Sequence, residues 1–594
     1  MSSKPGRDLR QPGTDVFVYQ FDFKVAVFSL AIAALLLFFP LGAWRAILAR
    51  PAIAPVVDLS LDQQHMVIRG DQANAYLSEL TASADFNGDG FKDLLIGAAG
   101  RNSHGSFSGA AYMILGSANP LSVINLSTSQ ANLTILGAST NHALGHSVAG
   151  GDVNGDGFDD MIVAADGYNS NRGAVYVFLG GASLAGPQVI DLSLPGSAAA
   201  LTITGKATGE RLGRSVASGD INQDGFDDII IGAYNASPGG RTEAGAVYVI
   251  LGSSSISAAA PKTIPLQSQA AGLTILGAGG DPDGAGIASL GAPEAASPLF
   301  ADELQPLATA EIGDRLGRSV AVGDLNGDGI ADIIAGAYGA NVGSNADAGI
   351  TYVFYGSATY SDAAPQTIDL STTAASLTLN GIDAGDQSGF FVMAGDVNKD
   401  GYADILTSAY ISQGYNNAAA SAGEAYVVYG SASLPASLDL ATQVTIYGAA
   451  AGDRLGRSLA SGDVNGDGYD DLILGASRAD PPGRPDAGIV YVIYGGTSLP
   501  SPVLLSDPNN ANVRILGAGG TGVTCDPEVM PETDCSDEAG HSSAVGDING
   551  DGVEDVIVGA LFANNGSLQD AGAAYVVFGG ERGGRYLYLP AVTK

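Results

Sequence analysis

A nine-residue acidic loop recurs seven times along the chain, and no other feature limits the possible folds as strongly. The first copy runs Asp85-Phe86-Asn87-Gly88-Asp89-Gly90-Phe91-Lys92-Asp93, and the others begin at Asp152, Asp220, Asp324, Asp396, Asp463 and Asp547. Every copy keeps Asp at positions 1, 5 and 9, Asn at position 3 and Gly at position 6. Side-chain oxygens at alternating positions converge on one hard cation when the chain turns sharply at the Gly. The position-7 carbonyl supplies a further oxygen, which completes the ligand logic of a Ca²⁺ loop.

The predicted ligand sets follow from that register. In the first three copies they are Asp85, Asn87, Asp89, Phe91 and Asp93, then Asp152, Asn154, Asp156, Phe158 and Asp160, then Asp220, Asn222, Asp224, Phe226 and Asp228. The fourth and fifth copies offer Asp324, Asn326, Asp328, Ile330 and Asp332, and Asp396, Asn398, Asp400, Tyr402 and Asp404. The last two offer Asp463, Asn465, Asp467, Tyr469 and Asp471, and Asp547, Asn549, Asp551, Val553 and Asp555. Up to seven structural Ca²⁺ ions are expected. An EF-hand needs Glu at position 12 and a helix after it. Position 12 here is Ile96, Val163, Ile231, Ala335, Thr407, Leu474 or Val558, inside a short apolar run that reads as a buried strand. The metal-free alternative is a set of Asn-Gly and Asp-Gly hairpin turns. Retention of all five positions in seven copies favours calcium.

Four strand patterns recur around each loop in fixed order. One precedes it (Ser215 to Gly219), one follows it (Ile229 to Gly232), a third carries a Tyr (Ala246 to Gly252), and a fourth resembles Leu133 to Gly137. A unit of about four strands repeated seven times predicts an all-β, seven-bladed propeller of four-stranded antiparallel blades. The ends fit a closed ring. His65 to Gly70 matches the fourth-strand pattern yet precedes the first loop, whereas the last unit stops after its third strand near Gly579. The N-terminal strand is therefore expected to complete the last blade. Val56 to Ser60 matches the segment that precedes the fourth strand elsewhere, as at Val189 to Ser193.

The repeats occupy residues 56–580. Before them lie a basic segment, 1–24, an apolar run, 25–44, and a linker, 45–55; a tail, 581–594, follows. Twenty apolar residues suffice to span a bilayer. Lys4, Arg7, Arg10 and Lys24 precede the run, which favours a cytoplasmic N-terminus and an exported remainder. An uncleaved signal anchor is the favoured reading and a cleaved signal peptide the rival. Both place the repeats at the cell surface or outside the cell. Cys525 and Cys535 lie close together in a polar stretch and are expected to form one disulfide. The formal net charge of −36 argues against nucleic acid, whose phosphates need clustered Lys and Arg.

At this point the units resemble FG-GAP repeats, as found in the seven-bladed propeller of integrin α subunits and in bacterial surface proteins. The "FG" positions read Leu212-Gly213, Leu316-Gly317 and Leu455-Gly456; the "GAP" positions read Gly232-Ala233-Tyr234, Gly336-Ala337-Tyr338 and Gly475-Ala476-Ser477. The resemblance implies the propeller and its calcium sites. It leaves the ligand open, a protein or a glycan.

No nucleophile, base and orienter stand out as a catalytic set. The five histidines are His65, His104, His142, His146 and His541. His146 and His541 occupy a repeat position where other units carry Arg or Phe, so they read as structural. The expected function is a non-catalytic adhesion or ligand-binding module; a polysaccharide lyase or hydrolase on the same scaffold is the alternative. Arg69-Gly70-Asp71 is a tripeptide that integrins recognise. The Arg-Leu-Gly-Arg-Ser runs at 211–215, 315–319 and 454–458 suggest either pairing with Glu210, Asp314 and Asp453 or a basic rim at the channel mouth. The two largest insertions, near 278–313 and 518–540, fall in connections opposite the metal loops, so the ligand is expected on that face.

Overall fold

The computed structural model describes residues 55–194, 199–279, 313–519 and 536–580. The apolar run 25–44, most of the two large insertions, Cys525 and Cys535 lie outside them. No helix among the described residues is long and apolar enough to cross a membrane.

These residues form seven sheets, one per repeat, arranged as the blades of a propeller. The blades hold five strands, not the expected four. In the third blade Ser215–Gly219, Asp228–Ala233, Ala246–Ile250 and Leu273–Leu276 pair antiparallel in that order. A fifth strand, Gln366–Asp369, then adds parallel to Leu273–Leu276. It comes from the next repeat, where it lies between that repeat's third and fourth strands. Each blade is thus strapped by its successor. The recurring segment at Val56 to Ser60 and Val189 to Ser193 contains this strand, but at two to four residues, mostly exposed or half-buried, it gives no strand pattern of its own.

The apolar pattern explains the layering. Second and third strands such as Asp228–Ala233 and Ala246–Ile250 are buried at every residue because a neighbouring blade covers each face. Fourth strands such as Leu201–Thr204 alternate buried and half-buried. The core is a series of slabs between consecutive blades. One contains Val153, Ile162 and Val175 of the second blade against Ile229, Ile231 and Tyr248 of the third.

Ring closure follows the sequence expectation and adds to it. Met66–Arg69 pairs antiparallel with Ala573–Val577 as the fourth strand of the last blade. Val56–Asp58 lies parallel to Val513–Leu516 as the strap of the sixth. Met66 and Ile68 then join Leu94, Ile96 and Tyr112 of the first blade in the slab that seals the ring.

The "FG" and "GAP" glycines owe their identity to one close approach. A Cβ on Gly232 would lie 1.9 Å from the carbonyl oxygen of Gly317 in the next blade; on Gly336 it would lie 1.8 Å from that of Gly389. Gly at this second-strand position lets the two backbones meet in five of the seven blades, and Ala164 and Ser408 hold it in the other two.

Candidate functional site

All seven acidic loops join a first strand to a second, so antiparallel pairing places them on one face of the propeller. In the first loop Asp85 Oδ1 accepts from the Gly88 and Asp89 amides at 2.7 and 3.1 Å, and Oδ2 accepts from Gly90 at 2.9 Å. Asn87 Oδ1 accepts from the Asp89 amide at 2.8 Å, and Asp89 Oδ1 accepts from Phe91 at 3.0 Å. Position 4 is left-handed in every copy, at Gly88, Gly155, Gln223, Gly327, Lys399, Gly466 and Gly550.

Position 9 has a second task that its place in the sequence does not reveal. Asp93 is fully buried; its Oδ2 accepts from the Phe86 amide at 3.1 Å and its Oδ1 from Gly116, just past the third strand, at 2.9 Å. Asp160, Asp228, Asp332, Asp404, Asp471 and Asp555 repeat both bonds. In five of the seven loops each oxygen retains a lone pair for a cation, whereas Asp471 and Asp555 also accept from the side-chain amides of Asn465 and Asn549. Burial, reinforced by the loop's other two carboxylates, pushes the Asp93 carboxyl up to about 7. The same causes bring Asp471 to about 7 and Asp332 to about 6.

Three carboxylates that resist joint ionisation, with an amide oxygen beside them, fit a divalent cation. Asn465 carries a further mark: its Oδ1 is buried and accepts no hydrogen bond among the described residues. Its amide nitrogen sits 2.9 Å from Asp471 Oδ2. As the chain stands, loop side chains bond chiefly to their own backbone and to one another. No group of three or more His, Cys, Asp or Glu among the described residues has metal-site geometry by itself.

The loops are linked in a closed belt. The position-8 amide of each donates to the position-1 carbonyl of the loop before it: Asp159 to Asp85 at 3.2 Å, Asp227 to Asp152 at 2.9 Å, and so around to Lys92 to Asp547 at 3.0 Å. Position-7 side chains lean over the preceding loop. A Cβ on Gly88 would lie 2.5 Å from the Phe158 ring, and on Gly327 it would lie 2.5 Å from Tyr402. Where position 4 is Lys399, its ammonium instead sits over the Tyr469 ring, 5.5 Å from the centroid.

The structure corrects both readings of the arginine runs. Arg211 bonds Asp166 at 3.1 Å and Arg315 bonds Glu243 at 2.8 Å. Glu210, Asp314 and Asp453 instead accept from backbone amides of Lys206, Gly279 and Ala450. Arg211, Arg315 and Arg454 share a left-handed backbone. Arg214, Arg315, Arg318 and Arg457 are only 3–5 % exposed, so they make no open basic rim. Aromatic faces meet them: Arg318 stands 4.4 Å over Phe390, and Arg315 lies near Tyr234 and Tyr338. Arg69-Gly70-Asp71 is likewise built into the blade seam. Gly70 is buried, and Asp71 is held by Arg101 at 2.7 Å.

The histidines are structural in their contacts. His65 stacks on Phe578 at 4.6 Å, His142 meets Tyr168 edge-on, and His541 bonds Arg457. Burial opposes ionisation of Glu538, but Arg478 and His541 outweigh it and hold that carboxyl below its usual range. His104 lies beside Ser193 and Asp191, 3.1 and 3.3 Å from its Nε2, a grouping reminiscent of a hydrolytic triad. The repeats supply the control. Arg241 makes the same reach to Gly277 and Asp369, and Arg484 to Gly517 and Asp58, each Asp also bonding a Ser two residues on. The His104 cluster is one of several latches that hold a strap to its blade. Sequence reasoning missed the latch because its partners lie up to 426 residues apart.

The FG-GAP repeat family matches residues 79–113, 144–178, 212–250, 316–354, 388–428, 455–493 and 539–577, one stretch per blade. The chain is 33 % identical over 180 residues to integrin alpha-IIb of Mus musculus, covering 29 % of this chain and 16 % of that one. It is 34 % identical over 140 residues to phosphatidylinositol-glycan-specific phospholipase D of Rattus norvegicus, covering 24 % and 15 %. These matches therefore span a small part of either relative. Among solved structures, Bacillus licheniformis rhamnogalacturonan lyase PL11 aligns over 73 % of this chain and 70 % of its own, at 12 % identity and a TM-score of 0.29. The V. cholerae biofilm matrix protein Bap1 aligns over 83 % and 76 %, at 10 % identity and a TM-score of 0.21.

Proposed function

Because the chain is an FG-GAP repeat protein built as an integrin-α-like, seven-bladed propeller, we propose that it serves as a calcium-stabilised extracellular module that binds a protein or glycan ligand without catalysis. The observation that carries the reading is the set of seven matching loops, each holding three carboxylates at one face and each bonded to the next. Calcium bound by positions 1, 3, 5, 7 and 9 would neutralise those carboxylates and fix the belt. This chain's own contribution is to preorganise the oxygens through the amides of positions 4 to 6.

The surface location rests on the likeness to integrin α and on the apolar run 25–44, which would anchor the module to a membrane. Ligand binding is assigned to the face opposite the loops. There the second-to-third connections, such as 235–245 and 411–423, vary in length and sequence while the blades stay regular.

The test uses the full chain with and without Ca²⁺. Metal analysis is expected to find several calcium ions per chain. A glycan array and a pull-down from extracellular material are expected to give binding that chelation abolishes. A calcium-free protein with an unchanged melting curve in EDTA would overturn the calcium assignment. Turnover of a polysaccharide by the purified chain would overturn the non-catalytic one.

A further inference from the structure

Seven large apolar side chains are well exposed among the described residues, and six of them lie along the outer straps of three consecutive blades. Val56 and Leu61 belong to the strap of the sixth blade and the turn after it. Leu121 and Val123 belong to the strap of the seventh blade and the approach to it. Val189 and Leu194 belong to the strap of the first blade and the segment after it. The seventh, Tyr415, stands on a connection of the fifth blade. Surface hydrophobics scattered singly need no explanation, but a run of them on one arc of the rim does.

The repeats give an internal control. Val56, Val123 and Val189 oppose Arg514, Val67 and Thr134, in each case the second residue of a fourth strand. The same place on the second, third and fourth blades is held by Thr263, Thr367 and Ser437, all exposed. On the fifth it falls to Pro502, just before Val503. Pairing and exposure are alike, yet only the arc from the sixth blade to the first carries Val. Ring closure makes that arc continuous, because the seventh blade packs against the sixth on one side and the first on the other.

The same arc is poor in charge. The strap of the seventh blade lies within residues 102–151, which contain no Asp, Glu, Lys or Arg in a chain of formal net charge −36. On the flanking straps Asp58 is held by Arg484 at 2.7 Å and Asp191 by the Ser193 hydroxyl at 2.6 Å. Asp62, exposed beside Leu61, limits how deeply that end can enter an apolar medium.

What covers the arc follows from where the chain enters it. The apolar run 25–44 ends eleven residues before Pro55, and Pro55 leads directly into Val56. Eleven residues reach at most about 40 Å when fully extended. A bilayer that holds the run is therefore within reach of this side of the propeller. Anionic headgroups repel an acidic protein wherever its charge is exposed, so the uncharged arc is the part that can approach. A second copy of the chain has an equally convex rim and meets one edge at a time, whereas a lipid surface yields to all three.

From this juxtaposition we propose that the rim of the sixth, seventh and first blades is a lipid-contact surface, whose six apolar side chains enter the headgroup boundary of a bilayer. The contact is shallow, because the outer strap edges carry backbone amides and carbonyls that must stay solvated. The propeller then stands on its rim, with its loop face and the opposite face both open to a ligand. This proposal rests on the anchored reading above and adds the orientation that an anchor alone leaves undetermined.

The experiment uses the full chain with Ca²⁺, reconstituted in phosphatidylcholine vesicles with and without brominated acyl chains. Trp44 is the sole tryptophan. It is replaced by Phe, and a reporter is placed on the arc by Val123→Trp or Val189→Trp, or on the far rim by Thr367→Trp. All three positions are exposed, so the fold is expected to tolerate each change. The two reporters on the arc are expected to be blue-shifted and quenched by bromine, while Thr367→Trp keeps its emission. The lipid contact is overturned if Val123→Trp and Val189→Trp are quenched no more than Thr367→Trp. A blue shift without bromine quenching, together with dimers in sedimentation, assigns the arc to a second copy and overturns it as well. A chain that does not sediment with vesicles sinks the anchored reading and the arc together; one that sediments with both arc reporters unquenched sinks the arc alone.

Discussion

Arg484 grips Asp58 across 426 residues of sequence, with Nη1 and Nη2 at 2.7 and 2.9 Å from the two carboxylate oxygens. The fork-on-fork contact holds the N-terminal strap against the sixth blade, while the next strand, Met66–Arg69, completes the seventh. Burial opposes ionisation of Asp58, but hydrogen bonds from Arg484 and Ser60 outweigh it and keep the carboxyl below its usual range.

Arg484→Ala is therefore expected to cost about 1–2 kcal/mol, since the pair is bidentate yet partly solvated. Amide exchange should quicken first at 56–58, ahead of the rest of the blade. Removal of residues 55–70 has a larger effect, because it strips one strand from the seventh blade and the strap from the sixth and exposes their edges. Light scattering should detect aggregation of that truncated chain. A monomer of normal stability would contradict the closure.

The pH dependence of the calcium-free protein follows from the position-9 carboxyls. Their folded pKa values lie at about 6 to 7, above the unfolded value of 3.8. Between those limits the folded state holds protons that the unfolded chain releases. Stability must then fall as pH rises from about 4 to 7 and level off above. The melting temperature in EDTA should be higher at pH 5.5 than at pH 8, and added Ca²⁺ should raise it most at pH 8.

The glycines of the loops separate backbone strain from contact. Gly88 and Gly90 both have left-handed backbone, at φ 73° and 90°, but only Gly88 faces the Phe158 ring. Gly90→Ala is expected to cost about 1 kcal/mol from φ alone. Gly88→Ala should cost roughly 2–3 kcal/mol, because the ring must also move. Urea denaturation of the two variants gives the comparison directly; equal losses would mean that Phe158 yields freely.

Asp324→Ala tests one loop at a time. It removes the acceptor for the Gly327, Asp328 and Gly329 amides but leaves the backbone carbonyl that Ala403 bonds. Calcium stoichiometry should drop by one ion per chain. Through the belt, affinity in the loop beginning at Asp396 should fall more than in the distant loop beginning at Asp85. Titration of the variant against wild type reads both effects.

The sequence by itself determined the repeat, the blade number, the loop register and the origin of the closing strand. Each of these is written in local pattern: an acid at fixed spacing, a run of four apolar residues, a fourth-strand motif stranded before the first loop. Tertiary structure alone decided what depends on residues far apart. The fifth strand of each blade comes from the following repeat and is too short and polar to carry a periodic signal. Arg211 and Arg315 bond Asp166 and Glu243, 45 and 72 residues away in the chain. The glycines of Gly232 and Gly317 needed each other only once two blades were pressed together. Asp71, which reads in sequence as the end of an adhesive tripeptide, became the partner of Arg101, because closing the ring brought the two to the same seam.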